Sequence, residues 1–278
     1  MTTKLHQYSS LLKRILPPAI WQPARALLTG IITPIRFSQK TGHWKSSLRM
    51  SACSSDGTPI PWYTYPAIDF LAQRNFEDRN VLELGGGQST LWWSMRARSV
   101  LTIEDNSDWY AWLNSQIGAN VALHHLPFTG ATETITAIRK VIDAHPIRTF
   151  DVIIIDGHLR TIATELAFSY LAPSGALLID DSEKYEYDQI RYRDCRRVDF
   201  YGFAPGVILR RCTSLVFVED CFLLKADVPT PNIELSKSTG VPCRQPRVTS
   251  AMVTARILET AETTDFVAAD RRPGSSSK

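Results

Sequence analysis

Apolar positions along this 278-residue chain gather in short continuous runs, with little alternation. Val81–Leu84, Ser99–Glu104, Val121–Leu126, Phe150–Asp156 and Ala176–Asp180 are such runs, and the fourth is nearly continuously apolar. Runs of this length without alternation suit strands buried on both faces. Between them lie segments of helical character: one opened by Asp105-Asn106-Ser107-Asp108 and running through Trp109, Trp112 and Ile117, then 131–145 and 161–171. Strands alternating with helices predict a parallel sheet covered on both faces. Arg197–Tyr201 and Ser214–Val218 follow as two further runs, read as an antiparallel pair that closes the sheet. The expected fold is therefore α/β, a doubly wound, mostly parallel seven-stranded sheet with a C-terminal antiparallel hairpin.

The first run carries the most specific chemistry. Val-Leu-Glu-Leu at 81–84 passes into Gly85, Gly86 and Gly87, and then into Gln88-Ser89-Thr90-Leu91. Glycines let the backbone turn tightly and approach a ligand with no Cβ in the way. Ser89 or Thr90 is suited to cap the helix that follows. A strand, a glycine turn and a helix N-terminus form a ligand cradle at the carboxyl edge of a doubly wound sheet. A dinucleotide binder wants Gly-x-Gly-x-x-Gly there, with the pyrophosphate on the helix N-terminus. Here Thr90 stands at the third glycine position, and an acid, Glu83, stands inside the motif. A carboxylate repels a pyrophosphate but favours the ammonium and sulfonium of S-adenosylmethionine.

The other strands add carboxylates at the same edge. Glu104 ends the second run, 17 residues past Gly87, near the spacing of an acid that holds ribose hydroxyls. Asp156 ends the fourth run, and Asp180–Asp181 the fifth. One acid at a strand end is an ordinary cap, but a series along one edge is a polar site.

With these residues in view, the chain resembles the class I S-adenosylmethionine-dependent methyltransferases over about residues 60–225. Glu83-Leu-Gly85-Gly-Gly87 resembles their first motif, Glu104 their ribose-binding acid, and Phe150-Asp151 through Asp156-Gly157 their fourth-strand motif. Leu171-Ala-Pro-Ser-Gly-Ala-Leu-Leu-Ile resembles their loop and fifth strand. Pro61-Trp-Tyr-Thr-Tyr-Pro-Ala-Ile-Asp, Asp199-Phe-Tyr-Gly-Phe and Thr213-Ser214 resemble a poorly characterised bacterial subgroup. The resemblance implies S-adenosylmethionine held by Glu83, Gly85, Gly87, Ser89, Glu104, Asp105 and Asp156. It implies methyl transfer, with a hydroxyl of a small molecule, glycan or lipid-linked precursor as the expected acceptor. Asp156, His158 and Asp181 are the expected catalytic residues, with Arg160 and Tyr65 on the acceptor. His158 titrates near neutrality when unperturbed and suits a base. Arg160 suits an anionic part of the acceptor. Asp156, Asp180 and Asp181 also form a set that suits Mg²⁺. That set is similar to metal-dependent O-methyltransferases, but Asp181 stands where they carry Asn, and no catechol-type lysine follows Asp156. The reading without a metal is preferred. A nicotinamide-dependent oxidoreductase of the Rossmann type, and a non-catalytic nucleoside-binding or interaction module, are the alternative functions.

Charge divides the chain unevenly. The net charge is +3, but residues 1–55 hold eight Lys/Arg and no Asp/Glu, leaving −5 for the rest. That segment is also rich in Leu, Ile and Trp, with Pro17, Pro18, Pro23 and Pro34 expected to break it into short pieces. It holds no apolar run of membrane-spanning length, and no signal peptide is expected. A basic, apolar, Trp-containing segment suits either the surface of an anionic membrane or packing on the catalytic domain. No nucleic acid is expected as a partner, since no basic groove with interleaved aromatics is evident. The five cysteines form no Cys-x-x-Cys pair and suggest no zinc site, so a reduced, cytoplasmic setting is expected, peripheral to the membrane's inner face if the arm docks there. The domains read as a basic, apolar arm (1–58), a methyl-donor domain (59–226) and a weakly ordered tail (227–278) with one helix around 249–262.

Overall fold

The computed structural model describes residues 17–158, 160–184, 195–218 and 220–225. The expectations for the tail, and for the first 16 residues of the arm, lie outside the described residues.

The seven predicted strands form one sheet. β1 is Asn80–Leu84, β2 Ser99–Glu104, β3 Val121–His125, β4 Phe150–Ile155, β5 Leu171–Ile179, β6 Arg196–Phe203 and β7 Arg210–Phe217. They lie in the order β3-β2-β1-β4-β5-β7-β6. β1 through β5 pair in parallel, and β7 pairs antiparallel with both β5 and β6. This is the arrangement that the strand–helix alternation and the final pair predict. Residue parity explains why the central strands do not alternate in hydrophobicity. Val81, Val152 and Ile154 face one apolar layer, while Leu82, Leu84, Ile153 and Ile155 face the other. With both faces covered, successive positions of a central strand are both buried and mostly apolar.

The helices are α1 (Pro18–Lys40), α2 (His43–Arg49), α3 (Tyr65–Ala72), α4 (Gln88–Ser94), α5 (Ser107–Asn114), α6 (Ala131–Ala144) and α7 (Arg160–Ala167). Trp92 and Trp93 of α4 and Leu71 of α3 pack on one face of the sheet; Ile138 and Ile142 of α6 and Leu166 of α7 pack on the other.

Three local expectations are corrected. The prolines do not break the arm: Pro18 to Lys40 is one helix, with Pro23 and Pro34 inside it. Proline at the first helical position forfeits nothing, because that N–H has no helical acceptor. Each internal proline deletes one backbone bond, and here the remaining turns carry the helix across both. The helix expected over 161–171 stops at Ala167, and Leu171 already belongs to β5. β5 pairs Leu171 with Phe150 and then Ala176 with Val152, so Pro173 and Gly175 sit in a bulge that lengthens the strand. Finally, neither Ser89 nor Thr90 is the N-cap of α4. Gly87 takes that place, and its N–H donates to the Thr90 hydroxyl at 3.1 Å.

Candidate functional site

The carboxyl ends of β1, β2 and β4 border a cavity of about 460 Å³, within the range of small-ligand sites. Its wall comprises Trp62, the Gly85–Ser89 turn, Glu104 to Asn106, Trp109, Asp156 to His158, and Arg160.

The glycine turn forms the floor, and its glycines serve different ends. Gly85 has φ +98°, and a Cβ there would meet the Asp156 and Gly157 backbone at 2.7 Å. It allows β1 to pass hard against the end of β4. A Cβ on Gly86 would meet Thr102 Cγ2 at 2.7 Å, so this middle glycine is dictated by packing. A Cβ on Gly87 would meet nothing within 4 Å. Gly87 lies on the cavity wall, so the space it leaves opens into the cavity.

Glu104 ties the turn to the next loop. One carboxylate oxygen accepts the Gly86 N–H at 2.6 Å and the other the Asn106 N–H at 2.9 Å. Asn106 in turn caps α5 by accepting from the Asp108 and Trp109 N–H groups. Glu104 is thus held at the tip of β2 and is 5% exposed. Burial raises its pKa, opposed by these two backbone donors.

Glu83 lies elsewhere than expected. It is fully buried beneath the turn and does not reach the cavity wall. Oε2 accepts from the Thr90 and Thr102 hydroxyls, while Oε1 has no hydrogen-bond partner. Burial pushes its pKa up to about 7. Within a strand that is apolar on both faces, this carboxyl is an internal charge just behind the cradle.

Asp105 and His158 are 53 residues apart in sequence, and the fold pairs them: His158 Nδ1 meets Asp105 Oδ2. The Phe128 ring lies 6.0 Å from the imidazole. Leu84, Ile103, Leu126, Phe128 and Ile138 line a smaller, mostly apolar recess that shares Gly85, Asp105, Gly157 and His158 with the main cavity. The sequence reading missed Phe128, which stands alone in a polar loop after β3.

Arg160 opens α7 and bridges two strand ends. Its guanidinium donates to Asp156 Oδ1 at 3.1 Å and to the backbone oxygen of Asp180 at 2.7 Å, and lies 3.7 Å from Asp181 Oδ2. It is on the cavity wall, as an acceptor-binding role requires, but these contacts make it first a clamp between β4 and β5. Asp181 sits in the left-handed region at φ 50° and also faces Lys184 and, at 3.7 Å, Arg211. Asp180 is 5% exposed and accepts from the Thr213 hydroxyl at 2.7 Å. Burial raises the pKa of Asp156 and Asp180, against the lowering effect of Arg160. The trio considered for Mg²⁺ is therefore occupied by cationic side chains and a hydroxyl, an arrangement that does not fit a metal ion.

Tyr65 does not reach the cavity wall. Its ring is buried edge-on to Phe37 at 5.3 Å, and its hydroxyl lies 3.5 Å from His43 Nδ1. Trp62 and Trp109 hold wall positions instead, edge to face at 6.3 Å. Trp62 stands in the Pro61-to-Asp69 stretch already singled out, so its signal was legible. Trp109 was read only as a helix residue.

The sequence matches no protein-family model and no curated protein. Among solved structures, the chain is similar to an O-methyltransferase from Bacillus cereus in complex with S-adenosylhomocysteine, with 15% identity and a TM-score of 0.44 over 72% of this chain and 99% of that one. It is similar also to an O-methyltransferase involved in tomaymycin synthesis from Streptomyces achromogenes, in complex with S-adenosylmethionine, with 14% identity and a TM-score of 0.43 over 73% and 99%. A methyltransferase-like protein from Silicibacter pomeroyi gives 16% identity and a TM-score of 0.39 over 66% and 100%. The strand order and antiparallel final pair are those of the Rossmann-like class I methyltransferase fold.

Proposed function

We propose that the cavity binds S-adenosylmethionine and that the protein transfers its methyl group to a hydroxyl of a small-molecule, glycan or lipid-linked acceptor. The observation that carries this reading is the open glycine cradle, rimmed by Glu104, Asp105 and Asp156, with the buried Glu83 carboxyl behind it, one oxygen of which has no hydrogen-bond partner. A sulfonium and an ammonium complement that wall, and a pyrophosphate does not. The residues fit the donor. Glu104 at the tip of β2 suits ribose hydroxyls, and the open space at Gly87 suits the amino-acid part.

Bound S-adenosylmethionine supplies an electrophilic methyl group open to direct displacement. The chain's own share is alignment, which contributes several kcal/mol in such reactions. Arg160 fixes the Asp156 carboxylate and joins the two loops that frame the acceptor side. Asp181 acts through Arg160 as a positioning residue. Asp105 holds His158 by Nδ1 and leaves Nε2 to take the acceptor's proton.

Calorimetry with S-adenosylmethionine, S-adenosylhomocysteine and NAD tests the reading. The first two are expected to bind and NAD is not; NAD binding alone would establish the oxidoreductase alternative. Glu104→Ala removes the ribose acceptor and is expected to weaken donor binding by about 1–3 kcal/mol. Unchanged affinity in that variant would remove Glu104 from the site.

The buried acids add a pH dependence. Glu83 sits at about 7 in the folded chain. An unfolded carboxyl titrates near ~4.3. The folded state therefore holds this proton longer, and the ligand-free protein loses stability as pH rises from ~4.3 to about 7. The donor's positive charges favour the ionised form, so its affinity is expected to rise through neutrality. Thermal shifts on adding S-adenosylmethionine should be larger at pH 8 than at pH 6. A shift that shrinks with pH would contradict the electrostatic fit.

A further inference from the structure

We propose that α1, α2 and the β6–β7 hairpin form one docking face for an anionic phospholipid bilayer. This inference stands independently of the methyl-transfer reading.

α1 buries none of its residues. Ile20, Leu27, Leu28, Ile31 and Ile35 are each more than half exposed. Their spacing of 7, 1, 3 and 4 places them on one stripe of the helix, while Arg25, Arg36 and Lys40 fall on the other side. α2 continues the face with Trp44 and Leu48, 65% and 70% exposed. The β6–β7 turn adds Ile208 and Leu209, 85% and 62% exposed. These elements are joined. The Gly206 N–H donates to His43 Nδ1 at 3.2 Å, and Phe37 of α1 meets Phe203 at 6.3 Å. A Cβ on Gly206 would meet the Ser47 backbone nitrogen at 2.8 Å, so the turn is seated directly on α2.

An apolar face of this size on a folded chain marks an interaction site. Charge identifies the occupant. Residues 1–55 contain eight Lys/Arg and no Asp/Glu, and Arg210 follows the hairpin turn. A basic, amphipathic, Trp-containing helix suits the headgroup–acyl boundary of an anionic leaflet. Among the described residues, no helix is long and apolar enough to cross a membrane, so the contact is interfacial. The face also adjoins the cavity. Trp62 lines the cavity wall and donates its indole N–H to the Pro205 carbonyl in the hairpin at 2.8 Å. Docking therefore holds the cavity beside the lipid headgroups.

The test is co-sedimentation of the full chain with vesicles of phosphatidylcholine and phosphatidylglycerol, against vesicles of phosphatidylcholine alone. Binding is expected only to the anionic vesicles, strongest at low salt and weakened as salt rises. Replacing Arg25 or Arg36 by Ala should weaken it about fivefold each, the equivalent of about 1 kcal/mol per charge. Leu28→Asp with Ile31→Asp should weaken it about tenfold or more. Both side chains are exposed, so donor binding and melting temperature should stay as in the parent. Ile208→Asp, on a separate element, should weaken vesicle binding in the same direction. No binding at low salt overturns the proposal, as does full binding by both apolar-face variants. A dimer in sedimentation velocity that the double variant dissolves would assign the face to a second copy and overturn it as well.

Discussion

Gly87→Leu is expected to cut donor affinity about a hundredfold or more while leaving the fold intact. A Cβ at this position meets no protein atom within 4 Å, and the backbone is extended at φ 172°. The new side chain therefore projects into the cavity without strain. The stability cost is that of a leucine at a helix N-cap, about 1 kcal/mol. A ligand that needs the same space faces overpacking of ~3 kcal/mol or more. Gly85→Ala should behave in the opposite way. Its φ of +98° and the 2.7 Å approach to the Asp156 backbone combine a left-handed penalty with a clash between adjacent strands, destabilising by ~2–5 kcal/mol. Thermal melts and calorimetry on the two variants separate the roles. A Gly87→Leu chain that binds the donor normally would show that the ligand lies elsewhere.

His158→Ala is expected to lower turnover by ~10²–10⁴-fold with little change in donor affinity. The imidazole is held at Nδ1 by Asp105, which sets the tautomer with Nε2 as the accepting nitrogen. Asp105→Asn should reproduce part of that loss, because an amide does not stabilise the imidazolium that forms. Two measurements are needed once an acceptor is found, namely the turnover number and the donor dissociation constant. A fall in affinity with unchanged turnover would make His158 a wall of the donor site and would move the base elsewhere.

Much of this architecture was legible before any coordinates. The two-sided burial of the central strands keeps most of their interior positions apolar, with Glu83 and Thr102 as buried polar exceptions, so the strands read as short apolar runs. The glycine turn was legible because three glycines between an apolar run and a helix have few other uses. The arm was misread at its prolines. Proline cost is a local penalty, and local penalties do not show whether the remaining turns hold a helix together. Glu83 and Tyr65 were expected in the site because their neighbours are there, and burial put them behind it. Strand parity sends Glu83 into the layer between Thr90 and Thr102, and Tyr65, the first residue of α3, turns toward Phe37. Trp109 was overlooked because an aromatic on a helix reads as core until its neighbours are known.

The sequence by itself determined the elements, their order, the acids at the strand ends and the charge asymmetry of the arm. All of these follow from local chemistry, namely the period of apolar residues, the freedom of glycine and the charge of single side chains. Tertiary structure alone decided which acids face a ligand and which face each other. The crossovers bring Asp105 to His158 across 53 positions and Arg160 to the ends of both β4 and β5. They also set the hairpin turn on α2, so that apolar residues from distant segments make one face. These pairings depend on strand order and register, which are set by the free energy of the whole packed sheet and not by that of any one segment.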